Sequence, residues 1–209
     1  MKRRTLLLSG LGAAGALVVG WGVLPPRSRL GSADSLPVVP GEVGLNGWIK
    51  VAEDGTVVLA MHRSEMGQGV HTALAMLVAE ELDIALAKLR LEQAGPDALY
   101  GNVAGFVASL PFHPADTEAG HETTMVKSGQ WIVAKLAREL GINMTGGSST
   151  VADAWDVLRL AAATARAQLL GAASLAWKLP VAELGVKNGV VSHASGPQGH
   201  YGLFAKAAA

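Results

Sequence analysis

Two short stretches carry the residues best suited to chemistry. Gly67-Gln68-Gly69 lies in "SEMGQGVHTALAMLVAEELD", residues 64–83, directly ahead of an apolar helical stripe. Thr145-Gly146-Gly147-Ser148-Ser149 opens "TGGSSTVADAWDVLRLAAATARAQLLGAAS", ahead of another. N–H groups in the first turn of a helix have no partner within it, and glycines let a ligand come close to them. Gln68 adds an amide that both donates and accepts. A ligand with phosphate and carbonyl groups suits both turns. Neither is a Walker loop, since no Gly-Lys-Ser/Thr follows, and neither has the full dinucleotide fingerprint. The same glycines also serve an ordinary tight turn. On the residues alone, turn and cradle both stay open.

Other candidates are weaker. The histidines, at 62, 71, 113, 121, 193 and 200, show no metal-ligand spacing, so no metal site is assigned. No Ser, His and acid assemble into a triad from spacing, so no catalytic residue is assigned. Glu80-Glu81 reads as a solvated helix face, and Trp155 and Trp177 read as core. Asn143-Met144-Thr145 matches a glycosylation acceptor, discounted because the chain opens like a bacterial export substrate.

Bulk properties narrow the function. Lys+Arg and Asp+Glu both number 17 in 209 residues, which argues against nucleic acid as the main partner, since that would need a basic face. Without cysteine the chain holds no iron–sulfur cluster, thiolate metal site or disulfide.

The elements that must position the turns follow from periodicity. Residues 1–33 have a basic start, an uncharged apolar run from Leu6 to Leu24, and a stop at Pro25-Pro26. Arg3-Arg4 before Thr5-Leu6-Leu7 resembles a twin-arginine signal, and Gly31-Ser32-Ala33 offers cleavage after Ala33. The alternative is an uncleaved anchor helix, because roughly 20 apolar residues span a bilayer. The expected location is therefore periplasmic, or membrane-anchored through residues 6–24 and facing the periplasm. Residues 34–46 read as a linker and 47–209 as the domain. Alternation around Asp54-Gly55 predicts a hairpin of strands 48–52 and 56–62. A helix over 70–83 buries Val70, Leu74, Leu77, Val78 and Leu82, and a strand follows at 88–94. Residues 95–120 read as a long loop. Helices follow at 123–140 and 150–175, the latter capped by Ser149 or Thr150, with Asp153 favoured by its dipole. A last hairpin turns at Asn188-Gly189. The expected class is α/β (α+β): a mixed sheet with packed helices, preceded by a signal or anchor helix.

Beyond the residues themselves, "EMGQGVHTALAMLVAEELD" and the 145–174 stretch resemble the molybdenum hydroxylase large subunits, the xanthine dehydrogenase and aldehyde oxidase superfamily. "LYGNVAGFVASLPFHPAD" and "WKLPVAELGVKNGVVSHASG" extend the resemblance from about Leu45 onward. The branch is the exported bacterial one that includes the isoquinoline 1-oxidoreductase beta subunit and related aldehyde dehydrogenases. The resemblance implies a molybdenum–molybdopterin cofactor in cytosine dinucleotide form. Gly67, Gln68 and Gly69 match the pterin-contacting turn, and Thr145, Gly146, Gly147, Ser148 and Ser149 match a second cofactor turn. It further implies oxidation of aldehydes or N-heterocycles with oxygen from water, and an iron–sulfur small subunit as partner. The family's Gly-Val-Gly-Glu motif, which carries its catalytic glutamate, is not found. The expectation is an N-terminal fragment or truncated gene product, inactive alone; the alternative is an inactive exported or membrane-anchored remnant.

Overall fold

The structure is a computed structural model that describes residues 20–22, 24 and 27–209. The twin-arginine pair and most of the apolar run lie outside the described residues. No described helix is long and apolar enough to cross a membrane.

A four-stranded mixed sheet runs in the order β1 (Glu42–Gly44), β2 (Ile49–Ala52), β3 (Val57–Met61), β4 (Leu89–Gln93). β1, β2 and β3 pair antiparallel, and β4 joins β3 in parallel. The β2–β3 turn forms because Gly55 takes φ +87° and Asp54 Oδ1 accepts from Thr56 N at 2.8 Å. A parallel pair needs a crossover, and α1 (Val70–Leu82) provides it. All five residues of its expected stripe are buried. Every residue of β3 is buried, as fits a strand covered on both faces. On the sheet's polar side, Lys50 Nζ reaches Glu42 at 2.8 Å and Glu92 at 2.9 Å.

The long helix α4 (Thr150–Trp177) packs along α1. Its buried face is Ala154, Leu158, Ala161, Ala162, Ala165 and Leu169, and the alanines permit close approach. In sequence, α2 (Val103–Ala108) and α3 (Thr124–Leu140) come between α1 and α4. A second sheet holds β5 (Gly185–Lys187), β6 (Val190–Ser192) and β7 (Gln198–His200), and α5 (Tyr201–Ala208) closes the chain. Asn188 and Gly189, both at positive φ, make the β5–β6 turn as expected.

Several expectations are corrected. The segment read as linker, 34–46, contains β1, an edge strand too short to show alternation. The loop 95–120 contains α2, whose N-terminus is capped by Asn102 Oδ1 on Gly105 N at 2.8 Å. Trp155 is 45% exposed and stacks under Arg159 rather than entering the core. Trp177, by contrast, does pack against the core as expected, edge-on to buried Phe204 with 5.2 Å between centroids. Glu81 is not merely solvated: its carboxylate binds Arg159 at 2.5 Å and ties α1 to α4.

Candidate functional site

β3 delivers the chain into the first glycine turn. Gly67 (φ +90°) and Gly69 (φ +77°) take conformations that a side chain would strain. The turn is closed by its own side chains. Glu65 Oε1 accepts from Gly67 N and Gly69 N, each at 2.9 Å, and Oε2 accepts from His71 N at 3.0 Å. Those donors, His71 and Gly69 foremost, hold the exposed Glu65 carboxyl below the usual carboxylate range. Gln68 Oε1 accepts from Met66 N at 2.5 Å, and its Nε2 donates to Ser64 O at 2.9 Å. Both ends of the amide expected to meet a cofactor therefore staple the turn itself. Sequence reading missed Glu65; its signal was a carboxylate one turn ahead of a helix start.

The second turn is built differently. Gly147 (φ +59°) and Ser148 (φ +52°) are both left-handed, so Ser148 carries backbone strain. Ser149 or Thr150 was expected to cap α4; Ser149 holds the N-cap position, but its side chain makes no cap bond. Its Oγ donates to Gly146 O and accepts from the buried Asn102 Nδ2, both at 2.7 Å. Among the described residues, the N–H groups of Thr150, Val151 and Ala152 make no hydrogen bond. The start of a long helix is thus left open.

Ser64 N donates to Thr145 Oγ1 at 2.9 Å, joining the two turns. Between them lies a cleft of about 260 Å³. Gln68, Thr145, Gly146 and Ser148 line it, with Met66, Val70, Ala73, Thr150 and Val151. Gly67, Gly69 and Gly147 shape the backbone without lining it, and Ser149 faces Asn102. No lining side chain titrates, so the cleft can bind and orient a ligand but moves no proton itself.

Beneath the turns, Asp153 is shared by two arginines. Its Oδ2 lies 2.7 Å from both Arg29 and Arg63, and its Oδ1 accepts from Ala104 N at 3.1 Å. The Asp153 and Arg63 side chains are almost fully buried. Asp153 thus serves an ion network, not only the helix dipole. Arg63 also donates to Tyr100 O at 2.8 Å and to Asn143. Two guanidinium groups against one carboxylate leave a positive surplus beside the start of α4. Neighbouring His62, packed at 4.8 Å edge-on to Trp48, has no hydrogen-bond partner on either ring nitrogen. Burial, with Arg63 and Arg29 adding, pushes it down to about 2. Among the described residues no three His, Cys, Asp or Glu side chains gather as metal ligands.

Residues 13–109 match the molybdopterin cofactor-binding domain. That stretch belongs to the molybdopterin cofactor-binding family. The chain is 32% identical over 169 residues to the isoquinoline 1-oxidoreductase subunit beta of Brevundimonas diminuta, covering 80% of this chain and 17% of that one. It is 31% identical over 107 residues to a membrane-bound aldehyde dehydrogenase [pyrroloquinoline-quinone] of Gluconacetobacter polyoxogenes, covering 48% and 13%. A crystal structure of the Cu,Mo-CO dehydrogenase aligns over 98% of this chain and 22% of its own, at 15% identity. Its TM-score is 0.45, a level that does not by itself establish a common fold. The chain spans less than a fifth of either curated relative. The first glycine turn lies inside the family match; the second lies beyond it.

Proposed function

We propose that the cleft between the two turns is part of the seat of a molybdenum–pterin cofactor, in its cytosine dinucleotide form. The observation that carries this is the juxtaposition itself: two glycine turns, far apart in sequence, share one cleft and a hydrogen bond. The fit differs by turn. At the first turn, Glu65 already holds the amides of Gly67, Gly69 and His71, so a phosphate there would meet a carboxylate. That turn suits an uncharged, hydrogen-bonding part of the group. At the second, the open N–H groups of Thr150 to Ala152 and the surplus guanidinium charge suit its anionic part. Thr145, Gly146 and Ser148 would face it, with Gln68 holding the first turn in shape.

The bound group supplies the two-electron oxidation of a C–H bond with oxygen from water. We assign the chain to a hydroxylase or aldehyde dehydrogenase acting on aldehydes or N-heterocycles. Electrons would leave through iron–sulfur clusters on a partner subunit, because this chain has no cysteine. The Arg3-Arg4 start supports twin-arginine delivery to the periplasm.

The test is cofactor content. Protein purified from cells that make the molybdenum cofactor should carry molybdenum and release a cytosine nucleotide in acid. Gly146 has open space where a Cβ would stand. Gly146→Trp should therefore fill the cleft and lose the metal while keeping its circular dichroism and melting curve. Normal metal loading in that variant would remove the cleft from the seat.

A further inference from the structure

The small residues Gly31-Ser32-Ala33 look like a cleavage site, yet the structure gives Gly31 another reason to be small. A Cβ on Gly31, at φ +68°, would stand 2.8 Å from Leu99 Cδ2 and 3.0 Å from Gly47 Cα. A Cβ on Gly44, in β1, would stand 2.9 Å from Ala33 O, so Ala33 lies against the sheet edge. The Ala33–Asp34 bond sits inside a 3-10 turn, Ala33–Ser35, and buried Leu36 follows. Backbone that is nicked readily is exposed and weakly bonded; this bond, though Ser32 and Asp34 are exposed, lies in a hydrogen-bonded turn with Ala33 half-buried.

The residues ahead of that bond are tied down as well. Gly47 N donates to Leu30 O at 3.0 Å, and buried Trp48 donates its Nε1 proton to Arg29 O at 2.6 Å. Arg29 makes its paired contacts with Asp153 and donates to Gly101 O at 2.9 Å. Further upstream, buried Lys135 on α3 donates to the carbonyls of Trp21 and Leu24, and its Nζ lies 4.3 Å from the Trp21 ring centroid. The family match also begins at residue 13, inside the apolar run.

We propose that residues 27–33 are a structural part of the domain, that the chain is not processed after Ala33, and that the apolar run stays joined to the folded body. Cleavage there would remove the acceptor of Trp48, one guanidinium from Asp153 and the carbonyls that solvate a buried ammonium. Each loss strands a buried polar group. The proposal takes from the export reading only the compartment in which it is tested.

The full chain would be expressed in bacteria and the N-terminus of its folded, protease-resistant pool read by intact mass. The expected mass retains the apolar run as well as residues 27–33. A folded pool beginning at Asp34 overturns the proposal, and so does one that begins between residues 25 and 33. Should the chain fail to leave the cytoplasm, export is what failed, and a second measurement decides. In the full chain, Gly31→Leu should lower the melting midpoint by at least about 5 °C, through a positive φ and the clash with Gly47. Arg27→Met, at a side chain 82% exposed, should leave it unchanged. An unchanged midpoint for Gly31→Leu overturns the proposal wherever the chain resides.

Discussion

The first and second glycine turns face the same cleft, yet one is closed upon itself and the other is open. Around Gly67 and Gly69 a carboxylate takes three backbone donors, and a glutamine takes Met66 N and Ser64 O. Around Gly147 the serine that should cap is turned inward to Asn102 and Gly146, so the helix start keeps its donors. The difference teaches that a glycine-rich helix start is a potential anion site only when no local carboxylate fills it. Glycine sets the backbone; the neighbouring acid decides the ligand.

The largest test of this comparison removes what binds the two turns together. Asp153, on the first turns of α4, holds Arg63, which immediately precedes the first glycine turn. Asp153→Asn leaves buried Arg63 and half-buried Arg29 without a charge partner. Breaking a buried pair from one side costs about 3–5 kcal/mol, which lowers the melting midpoint on the order of 10 °C in a chain of this size. Glu81→Gln, which loosens the C-terminal end of α1 from the first half of α4 at a partly exposed pair, should cost under about 1 kcal/mol. Equal costs for the two would show that the turns stand independently of the network.

A smaller effect isolates the strand end beneath the first turn. His62 is held neutral by burial, at about 2 against an unfolded value of 6.5. Its folded value is depressed, so its neutral form favours folding fully above pH 6.5. Below that the unfolded chain binds one more proton, and stability falls by about 1.4 kcal/mol per pH unit. The loss runs from pH 6.5 down toward 2. His62→Phe keeps the ring between Trp48 and Tyr100 and has no nitrogens to leave unpaired. Relative to the parent, it should gain roughly 2 kcal/mol between pH 7 and pH 5. Denaturant melts at the two pH values read this directly; parallel losses in both proteins would mean that His62 protonates without cost.

Much of this scaffold was legible in the sequence because its signals are local. The stripe Val70, Leu74, Leu77, Val78 and Leu82 follows from helical period, and both hairpins follow from Asp54-Gly55 and Asn188-Gly189. Both glycine turns were read as helix starts, which the structure bears out. What stayed hidden depends on packing. Arg29 and Arg63 meet Asp153 across 124 and 90 residues, a juxtaposition no periodicity encodes. Ser149 matched a cap by type and position, but Asn102 competed for its hydroxyl. That Gly31, in the Gly31-Ser32-Ala33 stretch, also stands against Leu99 and Gly47 is visible only in the fold. Glu65 was within reach of local reasoning, yet attention to the glycines passed over the acid beside them.

The smallest effect bears most directly on how the turns differ. Glu65→Gln replaces a carboxylate that spans three donors with an amide that offers one oxygen. Because Glu65 is solvent-exposed, the fold should lose little, and the melting midpoint should drop only slightly. What should change is which amides respond to an added anion. In the parent, titration with inorganic phosphate should move the ¹⁵N–¹H signals of Thr150, Val151 and Ala152 and leave those of Gly67, Gly69 and His71 in place. In Glu65→Gln the second set should begin to move as well. Acid should mimic the substitution. The Glu65 carboxyl is held below its ordinary range, so its three bonds are complete above that range and are lost as pH falls through the lowered folded value. The first-turn amides should therefore stay protected at a pH where a free glutamate is already half protonated. If phosphate moves both sets equally in the parent, the carboxylate does not close the first turn, and the anionic part of the ligand has two seats rather than one.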